Sequence, residues 1–302
     1  MSRRGWLLFT MMSFIWGLPY LLIKVADGGV SVPVLVFARV TVGSLVLLPI
    51  ALHRRELGTL RGHWAWLVTF AVVELIGPFA LLASAERRLS SSTSGLLIAA
   101  VPIIGAVLAR LTGDRDRLTA VRWTGLILGL GGVALLAGPD AAHGDALSVV
   151  QVLLTALGYA IGPIIANRKL SSLSPVAVNT VCLGMAAVAY APAAALTWPH
   201  SMPSAQVLAS LAGLGAICTA AGFVIYFGLI AEVGAARATV ITYVNPAVAV
   251  ALGVLVLGEH LTAAMAGAFA LILAGSILAT RASPAALLRA GPEEGRRRRS
   301  SP

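Results

Sequence analysis

A chain of 302 residues in which 58% are hydrophobic and only 11% are charged cannot cover a soluble globule with polar side chains. Soluble domains carry about 25% charged residues, and the mean hydropathy of +0.91 indicates a protein embedded in a membrane. The net charge of +10 would suit a nucleic-acid partner, but the distribution of the charge excludes that interpretation, as shown below.

Ten apolar stretches of helix-spanning length run through the chain. Each is close to the roughly 20 residues with which an α-helix crosses about 30 Å of hydrocarbon. The runs are continuously apolar rather than alternating, which favours helices over a membrane β-barrel. The first stretch is too long for a removable signal peptide and lacks a clear small-residue cleavage site. We therefore predict ten transmembrane helices, called spans one to ten, at 6–26, 33–52, 64–84, 93–111, 121–138, 146–166, 176–197, 205–228, 237–257 and 261–280.

The second half of the chain repeats the first after about 143 residues. The motif of the first half is Pro102 followed by Gly113-Asp114. Its counterpart in the second half is Pro246 followed by Gly258-Glu259. Each half holds five spans, and because five is odd, the second copy must enter the membrane from the opposite side. The sequence thus predicts an all-α polytopic membrane protein with ten transmembrane helices in two five-helix inverted repeats.

These boundaries divide the chain into three parts. Residues 1–140 form the first predicted repeat, and residues 141–281 form the second. Residues 282–302 contain a run of four arginines with proline and serine, and this composition cannot build a core. We expect a disordered basic tail in the cytoplasm, with contact to anionic lipid headgroups as the alternative.

The basic residues indicate the orientation of the chain. With the N-terminus inside, 18 of the 22 Lys and Arg residues fall in inner loops and the tail. The exceptions are Lys24, Arg87 and Arg88 at the outer ends and Arg39 within span two. This asymmetry follows the positive-inside rule. It predicts a multi-pass protein of the cell (plasma) membrane with both termini cytoplasmic, a lipid bilayer as surrounding and no nucleic-acid partner.

Glycine and proline residues occupy corresponding places in the two halves. A proline inside a helix removes a hydrogen bond and clashes with the preceding turn, at a cost of about 3 kcal/mol or more in soluble helices. Corresponding breaks point to a transport site, although Gly and Pro are also common in ordinary membrane helices. We predict helix breaks in spans one and six, three and eight, and four and nine, at Gly17 and Pro19 with Gly162 and Pro163, Pro78 with Gly222, and Pro102 with Pro246.

Spans five and ten have faces of small residues without polar groups. Gly125 and Gly129 lie one turn apart in span five, and Ala266, Ala270 and Ala274 do so in span ten. Small residues let two helices approach closely. We expect these spans to act as scaffold or as the interface of a homodimer, and not as cavity wall.

Several motifs follow a fixed order along the chain. Trp16-Gly17 lies in span one, and Pro33 and Arg39 lie in span two. Each half then has a proline motif and a glycine-rich stretch after it: Pro102 with Gly113-Asp114-Arg115 and 125–132 in the first half, and Pro246 with Gly258-Glu259 and Leu261 and 267–275 in the second. This order resembles the drug/metabolite transporter superfamily, and specifically its EamA-type members, over nearly the whole chain. The resemblance implies transport of a small metabolite through a central cavity, often export of an amino acid or a related compound. The second copy departs from it, because no arginine stands near Val181, where Arg39 would map.

Two charged side chains are predicted inside the membrane, where each costs at least about 2.5–3.5 kcal/mol. Glu74 lies in the middle of span three. It either takes part in proton coupling or binds a cationic substrate group, or it is a neutral or Arg39-paired structural residue. Arg39 either pairs with a charge or reaches the headgroups, or it contacts a substrate carboxylate.

Aromatic and amide side chains accompany these charges. A cavity for a small amphipathic metabolite needs apolar walls and a few placed hydrogen-bonding groups. Asn245 directly precedes Pro246, so it either faces the substrate or bonds the backbone that the proline frees. Ordinary packing or a membrane-interface position is the alternative for each aromatic residue. The predicted cavity residues are Trp16, Tyr20, Glu74, Tyr159, Tyr226, Tyr243 and Asn245.

Other classes of function find less support in the sequence. The five histidines lie in loops or at span ends, and neither a zinc-binding His-Glu-x-x-His motif nor a phosphate-binding loop is present. We predict no catalytic residues, no metal and no cofactor. The prediction is a secondary transporter that exports a small-molecule substrate by alternating access, with an intramembrane enzyme or a channel-like facilitator as alternatives. The substrate and the coupling ion stay open, and export rests on the resemblance alone.

Overall fold

The computed structural model describes residues 2–111, 120–140, 145–234, 238 and 241–280. The regular structure of these residues is helical throughout, without a strand. Seven helical stretches of at least 18 residues are long and apolar enough to cross a membrane. Three shorter apolar helices accompany them, at Trp123–Leu136, Ile241–Leu257 and Ala263–Leu278. The predicted all-helical, multi-pass membrane protein is confirmed at this level. The Gly113-Asp114-Arg115 motif and the 282–302 tail lie outside the described residues.

In the first half, three of the predicted spans consist of more than one helical segment. A short 3₁₀-helix, Leu57–Leu60, also connects spans two and three. The segments are Arg3–Gly17 and Pro19–Asp27 in span one, Val32–His53 in span two, Trp64–Phe70, Ala71–Ile76 and Gly77–Ala85 in span three, Ser91–Ile98 and Val101–Leu111 in span four, and Ala120–Asp140 in span five.

In the second half, only span eight is divided. Its middle segment, like that of span three, is a wide π-helical turn. The helices are Ala146–Lys169 in span six, Pro175–Leu196 in span seven, Ala205–Ala212, Gly213–Ala221 and Gly222–Val233 in span eight, Ile241–Leu257 in span nine, and Ala263–Thr280 in span ten.

Serine caps explain where several of these helices begin. The first backbone N–H groups of a helix have no partner within it, and a serine hydroxyl can accept one of them. Oγ of Ser90 accepts from the N–H of Thr93 at 3.0 Å, and Oγ of Ser2 accepts from Gly5 at 2.9 Å. Ser31 and Ser204 cap spans two and eight in the same way. The observed starts therefore lie within a few residues of the predicted ones.

Spans one and four are divided near the predicted positions, spans three and eight widen into π-helical segments, and spans six and nine are continuous helices. Span one is interrupted at Leu18 and span four at 99–100, just before Pro102. The prediction of breaks at Gly162–Pro163 and at Pro246 is wrong, because both lie inside continuous helices. A proline removes only one backbone hydrogen bond, and a helix in hydrocarbon retains the others because a lost bond is costly there.

Spans three and eight share the same distortion in both halves. In each, a π-helical segment ends directly before a glycine, Gly77 in span three and Gly222 in span eight. A π turn adds a residue to the helix without leaving backbone groups unpaired, and such turns are frequent at functional sites. These two spans keep the symmetry of the repeat most closely.

The small-residue faces of spans five and ten meet each other within the chain. A Cβ added to Gly275 would lie only 2.6 Å from the Cα of Gly129, so the two backbones are in close contact. Gly132 likewise faces Ile272, whose Cγ1 would be 2.8 Å from an added Cβ. The scaffold role predicted for this pair agrees with the contact, while the homodimer stays a prediction.

We predict that Gly275→Ala lowers the free energy of unfolding by about 1–3 kcal/mol, because the added methyl group overlaps the backbone of span five. The matched control is Gly131→Ala, since nothing lies within 4 Å of an added Cβ at Gly131. Thermal unfolding of the purified protein in detergent measures the difference. Equal midpoints for the two variants would contradict the close packing of spans five and ten.

Candidate functional site

Glu74 lies in the π-helical segment of span three and packs against span six. Its carboxylate touches Gly162, because a Cβ on that glycine would be 2.6 Å from the Glu74 carboxyl carbon. One turn earlier, an added Cβ on Gly158 would be 2.7 Å from Pro78. The two glycines thus form a flat surface on span six that receives the wide turn of span three. Gly162 acts by giving the carboxylate room, and not by breaking its helix.

Trp16 brings span one against span eight. Its ring lies 4.7 Å from that of Tyr226 and 6.2 Å from that of Phe223, measured between ring centroids. Gly222 makes space for the indole, because a Cβ there would be 2.9 Å from Nε1 of Trp16. The contact therefore joins the interrupted helix of span one to the first residue after the π turn of span eight.

The carboxylate and the aromatic residues belong to one cluster. Glu74 interacts electrostatically with Tyr159 of span six and Tyr226 of span eight. Its Oε2 atom is buried and has no hydrogen-bond partner. Spans one, three, six and eight, which carry two of the predicted helix-break pairs, thus meet around a buried polar atom that has no hydrogen-bond partner.

Arg39 is buried, with 6% of its surface exposed, and it forms no ion pair with Glu74. Its Nε donates to Oγ1 of Thr219 at 3.0 Å, and its guanidinium carbon lies 3.7 Å above the centre of the Phe79 ring. It also interacts electrostatically with Tyr20 and Tyr159. Of the alternatives considered from sequence, pairing with Glu74 and reach to the headgroups find no support in this geometry.

Thr219 occupies the position in the second half that Glu74 occupies in the first. Each lies three residues before the glycine that ends its π segment, Gly77 or Gly222. In one copy this position carries a carboxylate, and in the other it carries a hydroxyl group that binds Arg39. Aligning the helix breaks of the two halves pairs Thr219 with Glu74, but the alignment does not show that Thr219 binds Arg39.

The remaining predicted cavity residues have other contacts. Tyr20 is buried and interacts with Tyr159 and Arg39, so it joins the cluster. Asn245, with its amide nitrogen oriented towards acceptors, donates to the carbonyls of Ser13 at 3.2 Å and Ile241 at 3.0 Å. The backbone role of Asn245 is therefore the one that the structure supports.

Tyr243 lies beside span ten, and its hydroxyl group is 3.4 Å from the carbonyl oxygen of Ser276. Gly17 shapes the same region, because a Cβ there would be 2.5 Å from Val248 of span nine. The chain thus brings spans one and nine together at Gly17, and Tyr243 contacts span ten.

One end of the bundle, called the Glu86 end and defined by Lys24, Glu86 and Glu259, is closed by contacts that sequence analysis did not foresee. The carboxylate of Glu259 accepts from the N–H groups of Ser91 at 2.7 Å and Ser92 at 3.0 Å, and also from the Ser92 hydroxyl. It therefore caps the N-terminus of span four from the connection between spans nine and ten. Burial favours the neutral form of Glu259, but these hydrogen bonds outweigh burial and lower its pKa.

Further contacts tie the Glu86 end together. Nζ of Lys24 donates to the carbonyl oxygens of Glu86 and Leu89. Nε of Arg87 lies 2.7 Å from a carboxylate oxygen of Asp27. The loop between spans three and four is thus fixed to the end of span one.

The opposite end, called the Arg4 end, is held by exposed groups. Glu232 at the end of span eight accepts from the hydroxyl of Ser2, and Nε of Arg4 lies 4.0 Å from its carboxylate. Pairs of this exposed kind contribute little stability.

Within the described ranges, no three His, Cys, Asp or Glu side chains are grouped so that they could hold a metal ion.

Comparison with known proteins adds the family. The EamA-like transporter family matches residues 3–138 and, a second time, residues 146–281. A solved crystal structure, titled only as that of a protein, superposes with a TM-score of 0.67 at 24% identity. The alignment covers 96% of this chain and 100% of that one, and it shows a similar fold.

Three curated relatives are named as transporters. The uncharacterized inner membrane transporter YedA of Escherichia coli K12 is 28% identical over 263 residues, covering 82% of this chain and 81% of its own. The uncharacterized transporters YoaV and YvbV of Bacillus subtilis are 23% and 24% identical. Their alignments cover 83% and 94% of this chain and 87% and 94% of theirs.

We predict that Thr219→Val destabilises the protein by about 1–3 kcal/mol, because it leaves Nε of Arg39 buried without an acceptor. Thr69→Val is the matched control, since Thr69 is exposed and its hydroxyl binds only the Ala65 carbonyl in its own helix. The midpoint of thermal unfolding in detergent should fall for the first variant alone. A fall of the same size in both would show that the Arg39 contact is not the cause.

Proposed function

Because the chain belongs to the EamA-like transporter family, we propose that this membrane transporter moves a small amphipathic metabolite by alternating access, in the export direction. The observation that carries the proposal is the cluster of Trp16, Glu74, Tyr159 and Tyr226 from four different spans around one unpartnered carboxylate oxygen. A site built between helices of both halves is what a change of access requires.

The chemistry of the cluster favours a substrate with a positive and an apolar part. Glu74 offers a carboxylate to an ammonium group, and the rings of Trp16 and Tyr226 offer faces on which a cation or an apolar body can lie. Arg39 and Tyr20, which both interact with Tyr159, offer donors to a carboxylate. An amino acid or a related compound fits this arrangement.

The proposed topology is ten spans in two inverted five-helix repeats with both termini in the cytoplasm. Seven long helices, three shorter ones and the double match to the family support the count. The concentration of Lys and Arg in the predicted inner loops supports the orientation. In this topology, the Glu86 end faces the outside and the Arg4 end faces the cytoplasm.

Opening towards the outside then requires that the contacts of the Glu86 end separate. The hydrogen bonds of Glu259 with Ser91 and Ser92 join the second half to the first, so they must break when the halves move apart. The π turns of spans three and eight lie beside the cluster and provide segments that can bend without losing backbone hydrogen bonds.

The test begins with metabolite profiling of cells and medium with and without the protein, followed by reconstitution with the compound that accumulates outside. We predict saturable export that Glu74→Gln slows by at least about tenfold, because a hydrogen bond to a charged group contributes about 1.5–3 kcal/mol. Glu232→Gln removes an exposed carboxylate at the Arg4 end and should leave the rate unchanged.

Other outcomes would contradict the proposal in distinct ways. Flux that rises in proportion to concentration without saturation would indicate a channel-like facilitator. Chemical conversion of the compound would indicate an intramembrane enzyme. Equal rates for wild type and Glu74→Gln would remove Glu74 from the substrate site.

A further inference from the structure

Glu86 is a buried carboxyl group that the transport site does not use. It follows directly after span three, which ends at Ala85. None of its surface is exposed, and neither carboxylate oxygen has a hydrogen-bond partner. Buried carboxylates are normally hydrogen-bonded or paired, because an isolated buried charge is very costly. The isolation of both oxygens therefore requires an explanation.

The cations around Glu86 are all bound elsewhere. Lys24 of span one donates to backbone carbonyls, including that of Glu86 itself, and not to the Glu86 carboxylate. Arg39 of span two donates to Thr219, and Arg87 pairs with Asp27. No ion pair to Glu86 is found among the described residues.

The other ionisable groups that act on Glu86 are acids and phenols. Asp27 ends span one, and Glu259 lies in the connection between spans nine and ten. The two phenols are Tyr20 of span one and Tyr159 of span six. Burial raises the pKa of Glu86 well above its usual value. Lys24 and Arg39 act in the opposite direction, while Glu259 and Asp27 add to the effect of burial. In the closed Glu86 end, the neutral form is favoured.

We propose that Glu86 is a proton-binding site that must be occupied for the outer end of the transporter to close. The inference rests on the proposed function, because alternating access is what exposes this end to water. Once the end opens, hydration restores an ordinary carboxyl group with a pKa of about 4.3. The proton then leaves a carboxyl oxygen for the outside solution, and the next closure takes one proton from the same solution.

The direction of the pH effect follows from this linkage. At pH values between the open and the closed pKa, closure binds one proton, so acid outside favours the closed form. The ratio of closed to open protein falls up to about tenfold for each unit of rising pH in that range. Because the proton enters and leaves on one side, Glu86 regulates closure without carrying a proton across the membrane. This role differs from the proton coupling that was considered for Glu74 from the sequence.

A reporter cysteine can measure the opening. Ser94 in span four is fully buried, and its hydroxyl has no hydrogen-bond partner that a substitution would remove. The native Cys182 and Cys218 are also buried, at 0% and 1% exposure, so their background labelling is low. In Ser94→Cys protein reconstituted in proteoliposomes, the labelling rate with a membrane-impermeant maleimide is followed over a series of outside pH values.

The same reporter with Glu86→Gln supplies the reference, because dividing the two rates removes the pH dependence of the thiol itself. We expect the labelling rate of the protein with native Glu86, divided by that of the Glu86→Gln variant, to rise with pH by up to about tenfold per unit. Glu86→Asp keeps a titratable carboxyl and should keep the rise, which also covers the case in which the Gln variant does not fold. Glu232→Gln, at the opposite end, should keep it as well.

A constant ratio across the pH series would overturn the role of Glu86 while leaving alternating access intact, since the reporter would still be labelled. No labelling of Ser94→Cys at any pH would instead contradict opening of this end, and with it the proposed function. Loss of the rise in Glu232→Gln would also overturn the proposal, because the effect would not be specific to Glu86.

Discussion

Backbone hydrogen bonding in a medium without water is the constraint on which the rest of this structure depends. Every N–H and C=O group in the hydrocarbon region needs a partner within the protein, so the chain is helical wherever it is apolar. The same constraint keeps Pro163 and Pro246 inside continuous helices, since breaking a helix would leave several groups unpaired. Asn245 adds a side-chain amide to this backbone network. In spans three and eight the helices widen into π-helical segments, and the N–H groups of Gly77 and Gly222 at their ends stay bonded to backbone carbonyls.

Glycine residues lie at the places where the helices approach each other most closely. Gly162 gives room to the carboxylate of Glu74, Gly222 to the indole of Trp16, and Gly275 to the backbone of span five. Lipid gives helices little hydrophobic reason to associate, so close packing across small residues contributes much of the contact energy. The same glycines that a sequence marks as flexible points therefore act here as contact surfaces. The polar cluster exists because these surfaces bring four spans together around Glu74.

The charged side chains within the bundle differ in whether hydrogen bonds offset the free energy of removing them from water. Arg39 has a hydroxyl acceptor in Thr219 and the face of Phe79. Glu259 has backbone donors at the start of span four. Glu74 and Glu86 keep oxygens without partners, and buried groups of this kind are typical of functional sites because substrate or proton can satisfy them. The two carboxyl groups with unpartnered oxygens thus both lie in the first half of the chain.

The sequence by itself determined the class of the protein, the approximate ends of its helices and most members of the central cluster. Hydropathy and the spacing of glycine and proline are local properties, and the membrane makes them reliable because each span must be apolar and about as long as the bilayer is thick. Only the tertiary structure decided that Glu74 lies against Gly162, that Arg39 binds Thr219 and that Glu259 caps span four. It also showed that the Asn245 amide donates to backbone carbonyls and that Glu86, which directly precedes Arg87 and Arg88, is buried. The partners in the first three contacts are 88 to 180 residues apart and lie in different halves of the chain, and no periodicity along the chain records which side chains will meet.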